Sequence, residues 1–373
     1  MNRALLALQG LVLALAAGGA VLPLPAGLVE RDYADWFYPA LQTRLTSWSN
    51  ETRVSLFDWL AIFVALLILS LWIRWIRAAI RKRSLRPLLS GLFRTATLAA
   101  VIYLWFLVAW GLNYARVPLE TVIGYDQGRV SAAALTVLAE RATRAVNETF
   151  HAGHASGFAR DTETPWALVR ALHDIEHQLG KPVPTTPSRP KITLLAPFFR
   201  ASGVDGMHAP FLLETLLNPD LTPPERPAVL AHEWAHLAGY APEDDASFVG
   251  LLAALQADPG SKYSAWLALF HDAVAQLPVS EQRRLIGLLE PGPREDRLAI
   301  IKRLQSRSER VSRASWEAYD RYLKAQGVRE GVKSYSRVIQ LVLGSGVLDA
   351  DGGGQVIKSP ASDGLLPATG RNP

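Results

Sequence analysis

The residues able to do chemistry cluster in one run, Val229-Leu-Ala-His232-Glu233-Trp-Ala-His236-Leu-Ala-Gly239-Tyr240. On a helix, two histidines four residues apart lie one turn above the other on a single face. His232 and His236 so placed can share one zinc ion, and Glu233 beside them is suited to take a proton from water as general base. Histidine is scarce, 8 in 373 residues, so the pattern arises by chance on the order of once in a hundred such chains. The competing reading is a buried helix with two satisfied histidines and a surface glutamate.

A catalytic zinc takes three protein ligands and keeps one position open. Three acids follow within reach, Glu243, Asp244 and Asp245, on a second helix that Pro242 can begin. Glu243 shares a helical face with Ala246, Ser247, Gly250 and Ala254, small residues that let this helix approach the first. Asp245 shares its face with bulkier Val249 and Leu252. Glu243 is therefore the expected third ligand, with Asp245 and then Asp244 as alternatives, and the remaining acids favour the helix N-terminus through its dipole. A second pattern, His173-Asp-Ile-Glu176-His177, fits the inverted motif, but Leu168, Leu172, Ile175 and Leu179 around it read as the inner stripe of an ordinary amphipathic helix.

The first helix needs firm ends. Thr222-Pro-Pro-Glu225 resembles a capping box, Pro227 delays the regular helix by up to a turn, and Gly239 is a left-handed stop. A strand at Lys191–Leu195 and an apolar strand-like stretch at Met207–Leu217 precede it, and His208 and Glu214 on the latter are candidates to touch substrate. Helices are expected at roughly 130–150, 165–180 and 262–290, a long one at about 295–325, and a last one at about 336–343.

Composition places this domain on a membrane. The chain is 49% hydrophobic and lacks cysteine, which excludes disulfides, thiolate metal sites and cysteine nucleophiles. Residues 1–29 read as a first span, uncleaved because the uncharged run continues past Ala20. Residues 30–54 read as a polar extracytoplasmic connection, 55–77 as a second span, 78–87 as a basic cytoplasmic loop and 88–114 as a third span. No acid occurs between Trp59 and Leu119, while Arg74, Arg77, Arg81, Lys82, Arg83 and Arg86 cluster between the last two spans. The positive-inside rule then puts the amino terminus in the cytoplasm and residues 115–345 outside. These charges with Arg94 exceed the formal net charge of +5, so the basic balance does not point to nucleic acid. Charged residues and prolines flank the motif, so its helix is not itself a span. Residues 346–373, rich in Gly, Pro, Ser and Asp, are expected to be disordered.

The sequence resembles the bacterial membrane proteins grouped as domain of unknown function 3810. The resemblance rests on Trp110-Gly-Leu-Asn-Tyr114-Ala-Arg116-Val-Pro118-Leu119, on the run from His232 to Ala246, and on Gly331-Val-Lys-Ser-Tyr335. It implies a zincin-like metallopeptidase domain on an anchor in the bacterial inner membrane, and the acid before x-x-Ala is similar to the Glu-x-x-Ala ligand pattern of other such enzymes.

The fold expected is α+β, mainly α: three N-terminal transmembrane helices followed by a zincin-like domain with a small sheet and the His-Glu-x-x-His helix. The activity expected is zinc-dependent hydrolysis of a peptide or protein outside the membrane, with His232, His236 and Glu243 on Zn2+. Glu233 is the base, and Tyr335, Tyr263 or His208 stabilises the oxyanion. The alternative is an inactive zincin-like membrane protein that binds partners.

Overall fold

The computed structural model describes residues 3–160, 162–328 and 337–349. Three helices are long and apolar enough to cross a membrane: Arg3–Val21, Leu56–Lys82 and Arg86–Ala109. Side chains such as Phe63, Leu66, Leu69 and Leu92 point outward from them, an arrangement favourable only where hydrocarbon replaces water. The first and second of these helices both pack along the third.

The remainder is mainly helical, with a three-stranded sheet in the order β1-β3-β2. Strand β1 (Pro190–Lys191) runs parallel to β3 (Glu214–Leu217), and β2 (Gly206–Ala209) is antiparallel to β3, with His208 opposite Thr215. The helix Pro259–Ala275 packs on Ala132–Ser156. The motif helix, Arg226–Leu237, packs on the acid helix, Glu243–Gln256, which also meets Trp166–Gln178 and Pro259–Ala275. The acid helix buries residues all around its circumference, from Glu243 to Ala254, so it lacks the one-sided stripe of a surface helix.

Several elements differ from the sequence expectation. Residues 30–54 are not an open connection: Val29–Phe37 is π-helical and Tyr38–Ser49 is an α-helix. Its buried face carries Tyr38, Gln42, Thr46 and Ser49. Gln42, Thr46 and Ser49 are polar residues in helical spacing, which hydrophobic periodicity cannot detect; Gln42 satisfies both its amide groups on the backbone of Thr186, at 2.7 and 3.1 Å. The long helix expected at 295–325 is two, Pro291–Gln305 and Glu309–Ala325. Ser306 ends one, and Ser308 caps the other by accepting from Val311 N–H. Met207–Leu217 is a hairpin rather than one strand, with Leu213 at φ 53° closing its turn. The strand at Lys191 stops early because Asp58 draws the next backbone toward the second apolar helix, accepting from Leu194 N–H at 2.7 Å. The last helix is Val338–Ser345, and the tail from residue 350 lies outside the described residues.

The hydrophobic core is shared between the apolar helices and the rest of the chain. Val29, Tyr33, Tyr38, Phe106 and Trp110 belong to the same buried cluster as Trp234, Phe248 and Phe270.

Candidate metal centre

The motif helix is set by its two ends. At the start, Glu225 accepts from both the backbone N–H and the hydroxyl of Thr222 at 2.8 Å, one half of a capping box, and regular helix begins at Arg226. At the finish, Gly239 adopts φ 92° and Tyr240 N–H donates to Ala235 O at 3.1 Å, the pattern of a Schellman stop. Side chains from elsewhere also bind the last carbonyls at this end. Trp110 donates to His236 O at 2.9 Å, Tyr38 to Leu237 O at 2.7 Å, Lys181 to Ala238 O at 2.8 Å and Arg116 to Gly239 O at 3.2 Å. Two of the four are cations at the negative end of the helix dipole. Arg116 is itself held by Glu30 at 2.5 Å.

The acid helix approaches where Gly250 has no side chain: a Cβ there would lie 2.7 Å from His232 N. That closeness brings Glu243 under both histidines. Its Oε2 lies 3.2 Å from His232 Nε2 and 3.3 Å from His236 Nε2. Ligands about 2.0–2.1 Å from a tetrahedral zinc stand about 3.3 Å apart. The outer nitrogens are accounted for. His236 Nδ1 donates to Tyr240 O at 2.9 Å, and His232 Nδ1 is 3.2 Å from Ser247 Oγ. With Nδ1 on the Tyr240 carbonyl, Nε2 is the His236 nitrogen that faces Glu243. Glu243 Oε2 is buried without a directed hydrogen bond, while Tyr319 donates its hydroxyl to Oε1. Among the described residues these three form the one group of His, Asp and Glu donors that could hold a metal ion. The donor set fits zinc.

Electrostatics point the same way. Burial alone would lower the His236 pKa, but the Glu243 carboxylate outweighs it and pushes it up to about 9. Burial alone would raise Glu243, yet His236 beside it holds it well below the usual carboxylate range. The imidazole and the carboxylate thus each favour the other's charged form. Burial raises the Glu233 carboxyl, against the pull of His232 and His236. That carboxylate is fixed by β2: it accepts from the His208 backbone N–H, and a Cβ on Gly206 would lie 2.5 Å from its Oε1.

His232, Glu233, His236, Glu243 and His208 all line one cavity of about 1400 Å³. Both ring nitrogens of His208 are buried without partners, and burial, aided by His236, drives its pKa well below the ordinary value. The imidazole is therefore neutral.

Other candidates lie elsewhere. Tyr263 does not line the cavity; its hydroxyl donates to Asp296 at 2.6 Å among Phe150 and His154. Tyr335 lies outside the described residues. Glu214 is fully buried and accepts from Leu56 and Phe57 N–H at 3.1 and 2.8 Å, capping the second apolar helix with Lys191 beside it at 3.6 Å. Asp245 is not in the donor group, and Asp244 faces Arg337 at 3.5 Å. In the inverted motif, Glu176 pairs with Lys181 at 2.7 Å and His173 donates to Thr185 O at 2.8 Å, so it is a structural hub. Sequence reasoning missed the role of Tyr319; its only signal was the Trp316, Tyr319, Tyr322 spacing, one aromatic face of a helix.

The sequence matches the family described as protein of unknown function (DUF3810) over residues 33–343. No curated protein and no solved structure matches it.

Proposed function

The chain belongs to that family, and from its site we propose a membrane-anchored, zincin-like metallopeptidase that hydrolyses peptide bonds on the extracytoplasmic side. The observation that carries the reading is the convergence of His232 Nε2, His236 Nε2 and Glu243 Oε2 at tetrahedral spacing in a cavity that also holds the Glu233 carboxylate. A zinc ion there supplies Lewis acidity, polarising a carbonyl and acidifying water. Glu233, its proton affinity raised by burial, takes the proton from water and delivers it to the leaving amine. His208, neutral and with unpartnered ring nitrogens, donates to the oxygen that gains charge. Tyr319, through Glu243, orients the third ligand.

The basic residues Arg77, Arg81, Lys82, Arg83 and Arg86 between the second and third apolar helices support a cytoplasmic turn there, hence a site on the opposite side. The test uses full-length protein in detergent without chelators. Near-stoichiometric zinc is expected, lost on His236→Ala and Glu243→Ala, together with cleavage of a mixed peptide library read by mass spectrometry. Glu233→Gln should keep the zinc and lose the cleavage. Zinc without any Glu233-dependent cleavage supports the partner-binding alternative, and no zinc in the wild type rejects the site.

A further inference from the structure

The cavity that holds the triad is also walled by the third apolar helix. Ala99, Ile102, Tyr103 and Phe106 line it together with His232, His236 and Glu243. These four belong to the helix Arg86–Ala109, which is long and apolar enough to cross a membrane, and they lie in the half that leads toward the site. Trp110, directly after that helix, sets its ring edge-on to His236 at 6.0 Å and tilted to His208 at 5.2 Å. The β2–β3 turn is planted on the same helices: Trp105 donates to Phe211 O at 3.0 Å, and the Phe211 ring lies 5.9 Å from Phe57 and 6.2 Å from Phe106. The donors therefore stand beside the end of an apolar helix rather than on the far side of a detached domain. At about 1400 Å³ the cavity exceeds the roughly 300–1,000 Å³ of a small-molecule site, and its membrane-side wall offers no charged group.

We infer that the substrate carries an apolar, bilayer-embedded chain next to the bond that is cut, and that Ala99, Ile102, Tyr103 and Phe106 receive this chain from the outer leaflet while the adjoining polar backbone reaches His232, His236 and Glu243. The inference rests on the metallopeptidase reading and adds the class of substrate. A run of apolar residues and an acyl chain on a peptide present the same chemistry to this wall.

The test is binding to full-length, zinc-loaded protein in nanodiscs, using hydroxamates, which chelate zinc. The probes are acetohydroxamate, dodecanohydroxamate, and N-acetyl tetraleucine and tetraserine hydroxamates. Each methylene buried gives roughly a fourfold gain, so about tenfold or more is expected for dodecyl over acetyl, or for tetraleucine over tetraserine; whichever pair shows it identifies the chain as acyl or peptidic. Ile102→Trp and Ala99→Phe, which fill the cavity with apolar bulk tolerated in a bilayer, should collapse the gain. Leu66→Trp on the second helix, outside the cavity, should leave it intact, which controls for partition of the probes into lipid. Equal affinities for short and long probes, or a gain indifferent to Ile102→Trp in protein that still holds zinc, overturn this inference alone. Failure of acetohydroxamate to bind, or absence of zinc, overturns the metallopeptidase reading and this inference with it.

Discussion

The indole N–H of Trp110 donates to the backbone carbonyl of His236 at 2.9 Å. A residue at the end of an apolar helix thereby closes the helix that carries two of the three candidate metal donors. This bond joins the two halves of the chain, since Trp110 is buried in the same core cluster as Trp234.

Removing that donor should be felt at the site. Trp110→Phe removes one of the hydrogen bonds to the His236 carbonyl and leaves it only the Gly239 N–H, at a cost of about 0.5–1.5 kcal/mol, and loosens the His236 ring. Thermal unfolding and competitive zinc titration should show lower stability and weaker zinc binding together. By the same logic a 115–345 fragment, lacking Trp110 and Tyr38, should not fold to a zinc-binding form; a fragment that binds zinc as the whole chain does contradicts the shared core.

Gly206 keeps space for the Glu233 carboxylate, since a Cβ would lie 2.5 Å from its Oε1. Gly206→Ala should displace the base by a fraction of an ångström to an ångström and cut turnover about a hundredfold, with zinc content unchanged. Parallel loss of zinc would show that the strand positions the ligands rather than the base.

Tyr319 donates to Glu243 Oε1 from a helix that otherwise packs mainly on Ala196–Ser202. Tyr319→Phe should weaken zinc binding by about 10- to 100-fold while circular dichroism stays unchanged. Full zinc affinity in this variant would remove Tyr319 from the site's support.

His271 gives a pH dependence separate from the metal. Its Nε2 is buried without a partner, and burial, aided by Arg297, lowers its pKa from 6.5 to about 4. The folded state thus holds fewer protons than the unfolded state between those values. Stability present above pH 6.5 is lost as pH falls toward 4, with a slope of at most about 1.4 kcal/mol per pH unit from this residue. Chemical denaturation across that range should show a shallower loss in His271→Gln than in the wild type.

Much of the site is legible in the chain because its signals are local. His232 and His236 share a face by helical spacing alone. Gly239 stops that helix because glycine tolerates φ 92°. The small-residue stripe from Ala246 to Ala254 indicates close approach, and Gly250 sits against His232 N. The three apolar helices are equally local, being fixed by length and composition.

What tertiary structure decided is which distant groups meet. Glu214 reads as a strand-surface candidate but caps the second apolar helix, and Tyr263 faces Asp296 instead of the donors. Tyr319, Trp110 and Gly206 acquire their roles from contacts across 76, 126 and 27 positions of chain (319 − 243, 236 − 110, 233 − 206). The residues of 38–49 are helical because their buried face is satisfied by the backbone at Thr186, a partner no periodicity reveals. The motif helix, its ends and the donor types are legible from the chain alone, since these follow from neighbours a turn apart. Only the folded chain decided that the donors share a cavity with a membrane helix, because that depends on packing and hydrogen bonds between segments far apart in sequence.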